Sequence, residues 1–332
     1  MKKLLSIAIP FYNGFETIVS ILNELAGSND LNYEIIISDD CSEAQQSDKL
    51  LNFIDVNFSS SNISYHRNSI NLGMDMNFQK CIELSNGDYT WFLGQDDFIY
   101  KHKLLRVMDL IHKFNPNVAY LNYEIKRTWN FSNTFIHTDN ASIVGGSEFK
   151  DFILTSRGNV PHFLPSLLVK TELWPKFQDL DYLVGSYFIQ LGAFLQILAT
   201  YKNWLYIGEP MSIGVIPSDG WQSSVEKKTL IYCGFMKCIL FTYKRYPQLI
   251  YIYKQQYFKN YYQHMALSIE AKLDNNELLL MNLKSKEIFT KSYAFITSLV
   301  QFTPTFLLRL FYRLRKLYHQ MKNSNFYKYK YE

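Results

Sequence analysis

One stretch limits what this chain can fold into: Gly87-Asp88-Tyr89-Thr90-Trp91-Phe92-Leu93-Gly94-Gln95-Asp96-Asp97. A Gly-Asp turn feeds a short apolar run, rich in aromatics, with the composition of a buried strand. The run stops on two adjacent carboxylates, and an amphipathic segment, Lys103 to Phe114, begins a few residues later. In an open α/β sheet, ligands sit in the crevice beyond the carboxyl ends of the strands. Two acids there, with no basic residue beside them until Lys101, suit a divalent cation carrying phosphates. Taken alone, the pair also reads as a solvated turn ahead of a helix.

The chain before this stretch repeats its pattern. A strand from Leu4 to Ile9 breaks at Pro10-Phe11-Tyr12-Asn13-Gly14, since Pro cannot donate to a central ladder and Asn and Gly tolerate turns. A helix from about Glu16 to Leu25 follows, with Ile18, Ile21, Leu22 and Leu25 on one face. The second strand, Tyr33 to Ser38, again ends on paired acids, Asp39-Asp40-Cys41-Ser42, and Asp48 to Phe58 is its helical return. A third strand, Ile63 to His66, leads through Asn71-Leu72-Gly73 to a helix from Met76 to Leu84. Strand, helix, strand, helix with short polar loops predicts a parallel, doubly wound sheet. Helix capping requires one carboxylate at such a loop, and two strands here end on two each.

Composition narrows the class. A chain of 332 residues has room for one large domain and a smaller appendage, and 48% hydrophobic content with 25 Tyr and 25 Phe supplies a sizeable core. The net charge of +4 is mild, which argues against a nucleic-acid partner. Cys41, Cys81, Cys233 and Cys238 have neither metal-ligand spacing nor a disulfide framework, as in a reducing compartment. The apolar start stops at Pro10, short of a signal peptide, and no stretch has the roughly 18–20 uncharged residues of a membrane span. A cytoplasmic location is expected.

Four landmarks, in order, carry a resemblance: Ser6-Ile7-Ala8-Ile9-Pro10-Phe11-Tyr12-Asn13, Ile37-Ser38-Asp39-Asp40-Cys41-Ser42, Asn71-Leu72-Gly73 with Asn77, and Gly87-Asp88-Tyr89 through Asp96-Asp97. The chain resembles the family-2 glycosyltransferases of bacterial surface-polysaccharide assembly, the O-antigen and capsule enzymes with their abequosyltransferase-like group. A looser match is Ile207-Gly208-Glu209-Pro210-Met211. The resemblance implies a GT-A fold, a Rossmann-like, mostly parallel central sheet flanked by helices. It implies that Pro10, Phe11, Tyr12 and Asn13 wrap a nucleotide, that Asp39 accepts from its base with Asp40 nearby, and that Asn71 and Gly73 line the donor. Asp96 and Asp97 take the metal and ribose position, where Mn²⁺ or Mg²⁺ would bridge the diphosphate.

Two departures stand out. Gly94 occupies the place where the family's first metal acid often lies, which shifts the site towards Asp97. The family's Glu-Asp at a helix start is replaced by Leu183-Val184-Gly185-Ser186-Tyr187-Phe188-Ile189-Gln190, which has no carboxylate. Asp181 and Asp219 are the leading candidate bases, followed by Asp179, and His162 could serve by its intrinsic pKa.

The expected domains are a glycosyltransferase domain over 1–224 (nucleotide half about 1–115, acceptor half about 116–224) and a helical region over 225–332. In the acceptor half Gly145-Gly146-Ser147-Glu148 is expected to open a helix, and Trp129, Trp174 and Trp221 suit stacking on sugars. The clearest amphipathic helix, about Thr305 to Lys322, sets Arg309, Arg313 and Lys316 opposite Phe306, Leu310 and Leu314. It either packs on the domain or lies on an anionic membrane, the inner face of the bacterial cytoplasmic membrane. The function expected is transfer of a sugar, with inversion, from a nucleotide-diphosphate donor to a saccharide or polyprenyl-linked glycan acceptor. Two other classes remain: a nucleotide-sugar-binding or scaffold protein without catalysis, and a nucleotidyltransferase, which lacks here a Gly-rich basic loop after the first strand.

Overall fold

The computed structural model describes residues 3–26, 32–58, 62–127, 130–136, 142–157, 159–216, 224–285 and 291–310. Asp219, Trp129, Trp221 and the last helix beyond Leu310 lie outside them. Two compact units divide the chain: residues 1–220 with 237–254, and residues 221–236 with 255–332.

The first unit is built on one sheet. Its strands in chain order are β1 (Leu5–Phe11), β2 (Tyr33–Asp39), β3 (Ile63–Arg67), β4 (Tyr89–Phe92), β5 (Val118–Arg127), β6 (Asn130–Ile136), β7 (Ile143–Gly146), β8 (Leu167–Lys170) and β9 (Trp204–Ile216). The helices among them are α1 (Phe15–Leu25), α2 (Ala44–Phe58), α3 (Met74–Leu84), α4 (Lys101–Phe114), α5 (Phe149–Thr155) and α6 (Ile189–Tyr201). The sheet runs β3-β2-β1-β4-β8-β5-β9-β7, with β6 on β5. β1, β2, β3 and β4 pair in parallel, as the alternation predicts. β8 enters antiparallel between β4 and β5, and β9 returns parallel to β5.

Alternate residues explain the two faces. Leu5, Ile7, Ile9 and Phe11 of β1 and Tyr33, Ile35 and Ile37 of β2 pack with Ile18, Ile21, Leu22 and Leu25 of α1, Leu50 of α2 and Leu104, Val107 and Ile111 of α4. α3 and α6 cover the opposite face, where Phe78 meets Phe92 edge-on at 6.0 Å. Trp174 also packs on Phe92, at 5.6 Å, and its Nε1 donates to Gln79 Oε1 at 2.9 Å. That tryptophan is therefore packed between helix and sheet, a correction to its expected place on a sugar.

Several boundaries moved. Gly145 and Gly146 belong to strand β7, and α5 starts at Phe149. A Cβ at Gly146 would lie 2.6 Å from the Trp204 ring, so the pair permits close strand contact beneath an aromatic where a helix start was expected. The Ile207–Met211 match lies within β9, a strand of 13 residues, where a two-residue bulge at Gly208-Glu209 opposes Leu121 and Asn122. Asn122 fills that bulge, donating Nδ2 to Gly208 O at 2.6 Å.

In the second unit the helices α7 (Val225–Arg245) and α8 (Ile250–Leu273) contribute their parts outside 237–254, together with α9 (Glu277–Leu283) and α10 (Lys291–Phe302). The break expected at Asp274-Asn275-Asn276 separates α8 from α9, whose Asn276 cap accepts from Leu279 N at 3.1 Å. Ile269, Ile296, Val300 and Leu308 form its small core.

The Gly-Asp turn before β4 has a backbone reason. Gly87 N donates to Ser6 Oγ at 2.8 Å, and that hydroxyl donates to Glu34 Oε1 at 2.6 Å. A Cβ at Gly87 would stand 2.6 Å from Ser6 N and 2.8 Å from Leu5 C, both backbone. Gly87→Ala is expected to destabilise the protein by about 1–3 kcal/mol, the range for forced overpacking. Urea unfolding measures it, and an unchanged midpoint would refute the contact.

Candidate functional site at the carboxyl edge of the sheet

The loops leaving β1, β2, β3 and β4 gather at one edge. The chain entering β8 arrives there too, since Leu168 lies opposite Trp91 and Trp91 Nε1 donates to Pro165 O at 2.8 Å. Each loop is held by a polar contact to another loop.

Asp39 ends β2 with its side chain fully buried. Its carboxylate accepts from Ser42 N at 2.8 Å, Ser47 Oγ at 2.7 Å and the Tyr65 hydroxyl, with Arg67 Nε at 3.8 Å. Burial and the neighbouring carboxylate push the Tyr65 phenol well above its ordinary range. Asp39 thus fixes the 39–43 loop from beneath. Asp40 accepts from Leu72 N at 2.7 Å, Gly73 N at 2.9 Å and Asn68 Nδ2 at 3.2 Å, so it holds the Asn-Leu-Gly turn. Gly73 has φ +79°, which a side chain would resist, and Asn71 Oδ1 caps the same N–H at 3.0 Å. Asn77 is buried between Ser38 and Asn68, tying β2 to α3.

The first loop is exposed at Tyr12 and Asn13, while Phe11 is buried and Pro10 half-buried. Asn13 takes a left-handed φ of +50°, donates its N–H to Ser42 Oγ at 2.9 Å and accepts from Glu43 N at 2.8 Å. Tyr12 is clasped by a residue the sequence reading missed: its N–H donates to Gln95 Oε1 at 2.8 Å, and its carbonyl accepts from Gln95 Nε2 at 3.1 Å. The signal was Gln95's place between Gly94 and the acids, but nothing local tied it to a loop 83 residues away.

Asp96 and Asp97 sit on that same loop. The loop is pinned to β9, because Phe98 and Ile213 exchange N–H···O bonds of 2.9 and 2.8 Å and Asp97 Oδ1 accepts from Val215 N at 3.3 Å. Gly94 explains the missing first acid, since a Cβ there would be 2.4 Å from Asp97 Oδ2 and 3.1 Å from Asp96 Oδ1. Burial raises the pKa of both carboxyls, and Asp96 raises that of Asp97 further. Among the described residues, no Lys or Arg forms an ion pair with either, and no cluster of three or more acid, His or Cys ligands exists. Two adjacent, desolvated carboxylates without a cation fit a divalent ion that completes its shell with phosphate and water.

The remaining candidates are less engaged. Asp181 opens a short 3₁₀ turn, Asp181–Leu183, with its side chain exposed, and Asp179 ends another. His162 is exposed, its Nδ1 3.1 Å from Val160 O. Its neighbour Phe163 packs on Tyr123 at 4.3 Å and would touch any Cβ at Gly214, which places that loop beside the acids' anchor on β9.

The model described as "Glycosyl transferase family 2" matches residues 6–157, the segment that contains every loop from Tyr12 to Asp97. Over that segment the chain is similar to the family 2 glycosyltransferases. The abequosyltransferase RfbV of Salmonella typhimurium is 32% identical, over 58% of this chain and 61% of that protein. A glycosyltransferase of Haemophilus influenzae is 28% identical over 37% of this chain and 39% of its own. The chain thus spans less than two thirds of the length of these curated relatives. Among solved structures, residues 1–349 of S. aureus TarS with UDP-GlcNAc align with a TM-score of 0.60 at 14% identity, covering 86% of this chain and 82% of that one. The same fragment with UDP aligns at 0.54. The fold of the chain is therefore GT-A.

Asp97 gives a stability test of the acid pair. Its folded pKa lies above its unfolded value, so its contribution falls as pH rises through the carboxylate range and remains unfavourable at neutral pH. Asn keeps an oxygen for Val215 N and removes the charge. Without metal at neutral pH, Asp97→Asn is expected to melt roughly 2–4 °C higher, the shift about 1 kcal/mol produces in a domain of this size. The gain should shrink in acid, and an equal or lower melting point at neutral pH would contradict it.

Proposed function

We propose that this protein is an inverting glycosyltransferase that moves a sugar from a nucleotide-diphosphate donor to a saccharide acceptor in surface-polysaccharide synthesis. The observation that carries this reading is the uncompensated Asp96–Asp97 pair at the edge where the loops of the family 2 domain converge. The nucleotide lies against Pro10, Phe11, Tyr12 and Asn13 and the loop shaped by Asp39. The donor phosphates approach the Asn71–Gly73 turn held by Asp40. Asp96 and Asp97 would hold Mn²⁺ or Mg²⁺, which supplies charge neutralisation of the leaving diphosphate. A carboxylate, Asp181 or Asp219, removes the acceptor proton as its oxygen attacks the anomeric carbon. The relatives named for abequosyl transfer and for a UDP-GlcNAc complex support the donor class and leave this protein's own sugar open.

Calorimetry with a panel of nucleoside diphosphates tests the donor site. Binding of the preferred one is expected to tighten with Mn²⁺ and to lose that dependence in Asp97→Ala. Because protons compete for carboxylates with raised pKa, the metal effect should weaken as pH falls. Metal-independent binding by the wild type would remove the cation from the proposal. In a transfer assay Asp181→Asn or Asp219→Asn should lower turnover by about 10²-fold or more. Loss in neither would refute these bases.

The acceptor is proposed to be lipid-linked, with the protein peripheral on the inner face of the cytoplasmic membrane. Among the described residues no helix is long and apolar enough to cross a bilayer. The second unit instead exposes Phe295, Leu299, Phe302, Phe306 and Leu310, spaced three or four apart, with Phe302 84% accessible. From Ile288 to Tyr331 the sequence carries eight Lys and Arg and no Asp or Glu, so this apolar stripe is flanked by charge that suits anionic lipid. Phe302→Ser with Phe306→Ser is expected to weaken flotation with phosphatidylglycerol vesicles about tenfold or more without changing the melting point. High salt should weaken the wild type similarly. Equal binding to neutral vesicles, or concentration-dependent dimerisation without lipid binding, would refute the membrane role.

A further inference from the structure

The sequence has no carboxylate at the start of α6, where the resemblance called for one, yet the fold brings one there. Asp75, in the first turn of α3 and only 5% accessible, reaches across to that helix. Its Oδ2 accepts from Gly185 N at 2.8 Å and Tyr187 N at 3.0 Å, and its Oδ1 from Ile189 N at 3.3 Å. Ile189 is the first residue of α6, whose leading N–H groups have no partner within the helix, and Phe188 at its N-cap supplies no side-chain oxygen. The cap therefore comes from a residue more than a hundred positions upstream.

The turn that Asp75 holds is an unfavourable one. Gly185 has φ +79° and Tyr187 has φ +67°, so two of three consecutive residues are left-handed, one of them carrying a bulky side chain. Such a turn persists when its surroundings over-determine it. Lys237 assists, donating Nζ to Val184 O at 3.3 Å and offsetting part of the charge on Asp75. Val184 and Gly185 are exposed, so the turn presents a surface and is not filling the core.

Position gives the turn its meaning. Two residues before Asp75 stands Gly73, whose N–H is held by Asp40. The nucleotide-side loops are stitched to one another through Asn13, Ser42 and Gln95, while the 184–187 turn is stitched through Asp75 to the start of α3. We infer that Asp75 is a positioning residue for sugar transfer, holding the 184–187 turn as a wall on the acceptor side and locking it to the donor loop. Both carboxylate oxygens are taken up by backbone N–H groups, so Asp75 acts through the turn and not as the base. This rests on the glycosyltransferase reading above.

Asp75→Asn tests it, because Asn keeps the volume but turns one acceptor into an N–H facing an N–H. Three quantities are read with the wild type alongside: nucleoside diphosphate affinity, donor hydrolysis by water, and transfer to a lipid-linked saccharide acceptor. Nucleotide affinity is expected to change less than about twofold, while transfer falls about tenfold or more and hydrolysis falls much less, raising the ratio of hydrolysis to transfer. Amide exchange at Gly185, Tyr187 and Ile189 should accelerate in the same variant. Parallel loss of hydrolysis and transfer, or unchanged transfer with only a lower melting point, would overturn the positioning role. Wild-type protein that binds no nucleoside diphosphate would instead overturn the reading beneath it, so the two failures are distinguishable. If Asp75→Asn does not fold, Gly185→Ala, which strains the turn while leaving the carboxylate in place, must show the same rise in the ratio or the inference fails.

Discussion

The structure depends on one kind of interaction, a buried carboxylate accepting backbone N–H groups from a loop other than its own. Asp40 holds the 72–73 turn, Asp75 holds the 185–189 turn, and Asp97 takes Val215 of β9. Charge-assisted bonds of this kind are stronger than neutral ones and directional enough to set a loop's path. They also offset the desolvation of the acid, which otherwise makes a buried charge untenable. Contacts of this kind tie the loops at the sheet edge to one another.

Asp97 shares this pattern but stands beside a second acid, Asp96. Neither has a cationic partner among the described residues, burial raises the pKa of both, and Asp96 raises that of Asp97 further. Gly94 makes room for their close placement at the cost of the acid that commonly stands there. Ionising the pair at neutral pH therefore works against burial.

Much of this was legible along the chain. The alternation of strand and helix from Leu5 to Phe114 and the parallel pairing of β1–β4 follow from local periodicity, which a single sequence displays. So do the loops at Pro10–Asn13, Asp39–Ser42, Asn71–Gly73 and Asp96–Asp97, because turn residues and paired acids at strand ends are local signals. The second half was harder to read. β8 is four residues long, β9 runs through a bulge, and Gly145-Gly146 looked like a helix start because nothing nearby revealed the Trp204 ring above it.

By itself, then, the sequence determined the fold class, the loops at the strand ends and the acid pair, since each is written in residues a few positions apart. Only the tertiary structure decided which groups those loops lean on. Gln95 clasps Tyr12, Asp39 is spent on Ser42, Ser47 and Tyr65, Trp174 packs on Phe92, and Asp75 caps α6. Partners such as Gln95 with Tyr12, or Asp75 with Gly185, lie 83 to 110 residues apart and share no periodicity. A carboxylate's role depends on which N–H groups the folded chain aims at it, and that direction exists only in three dimensions.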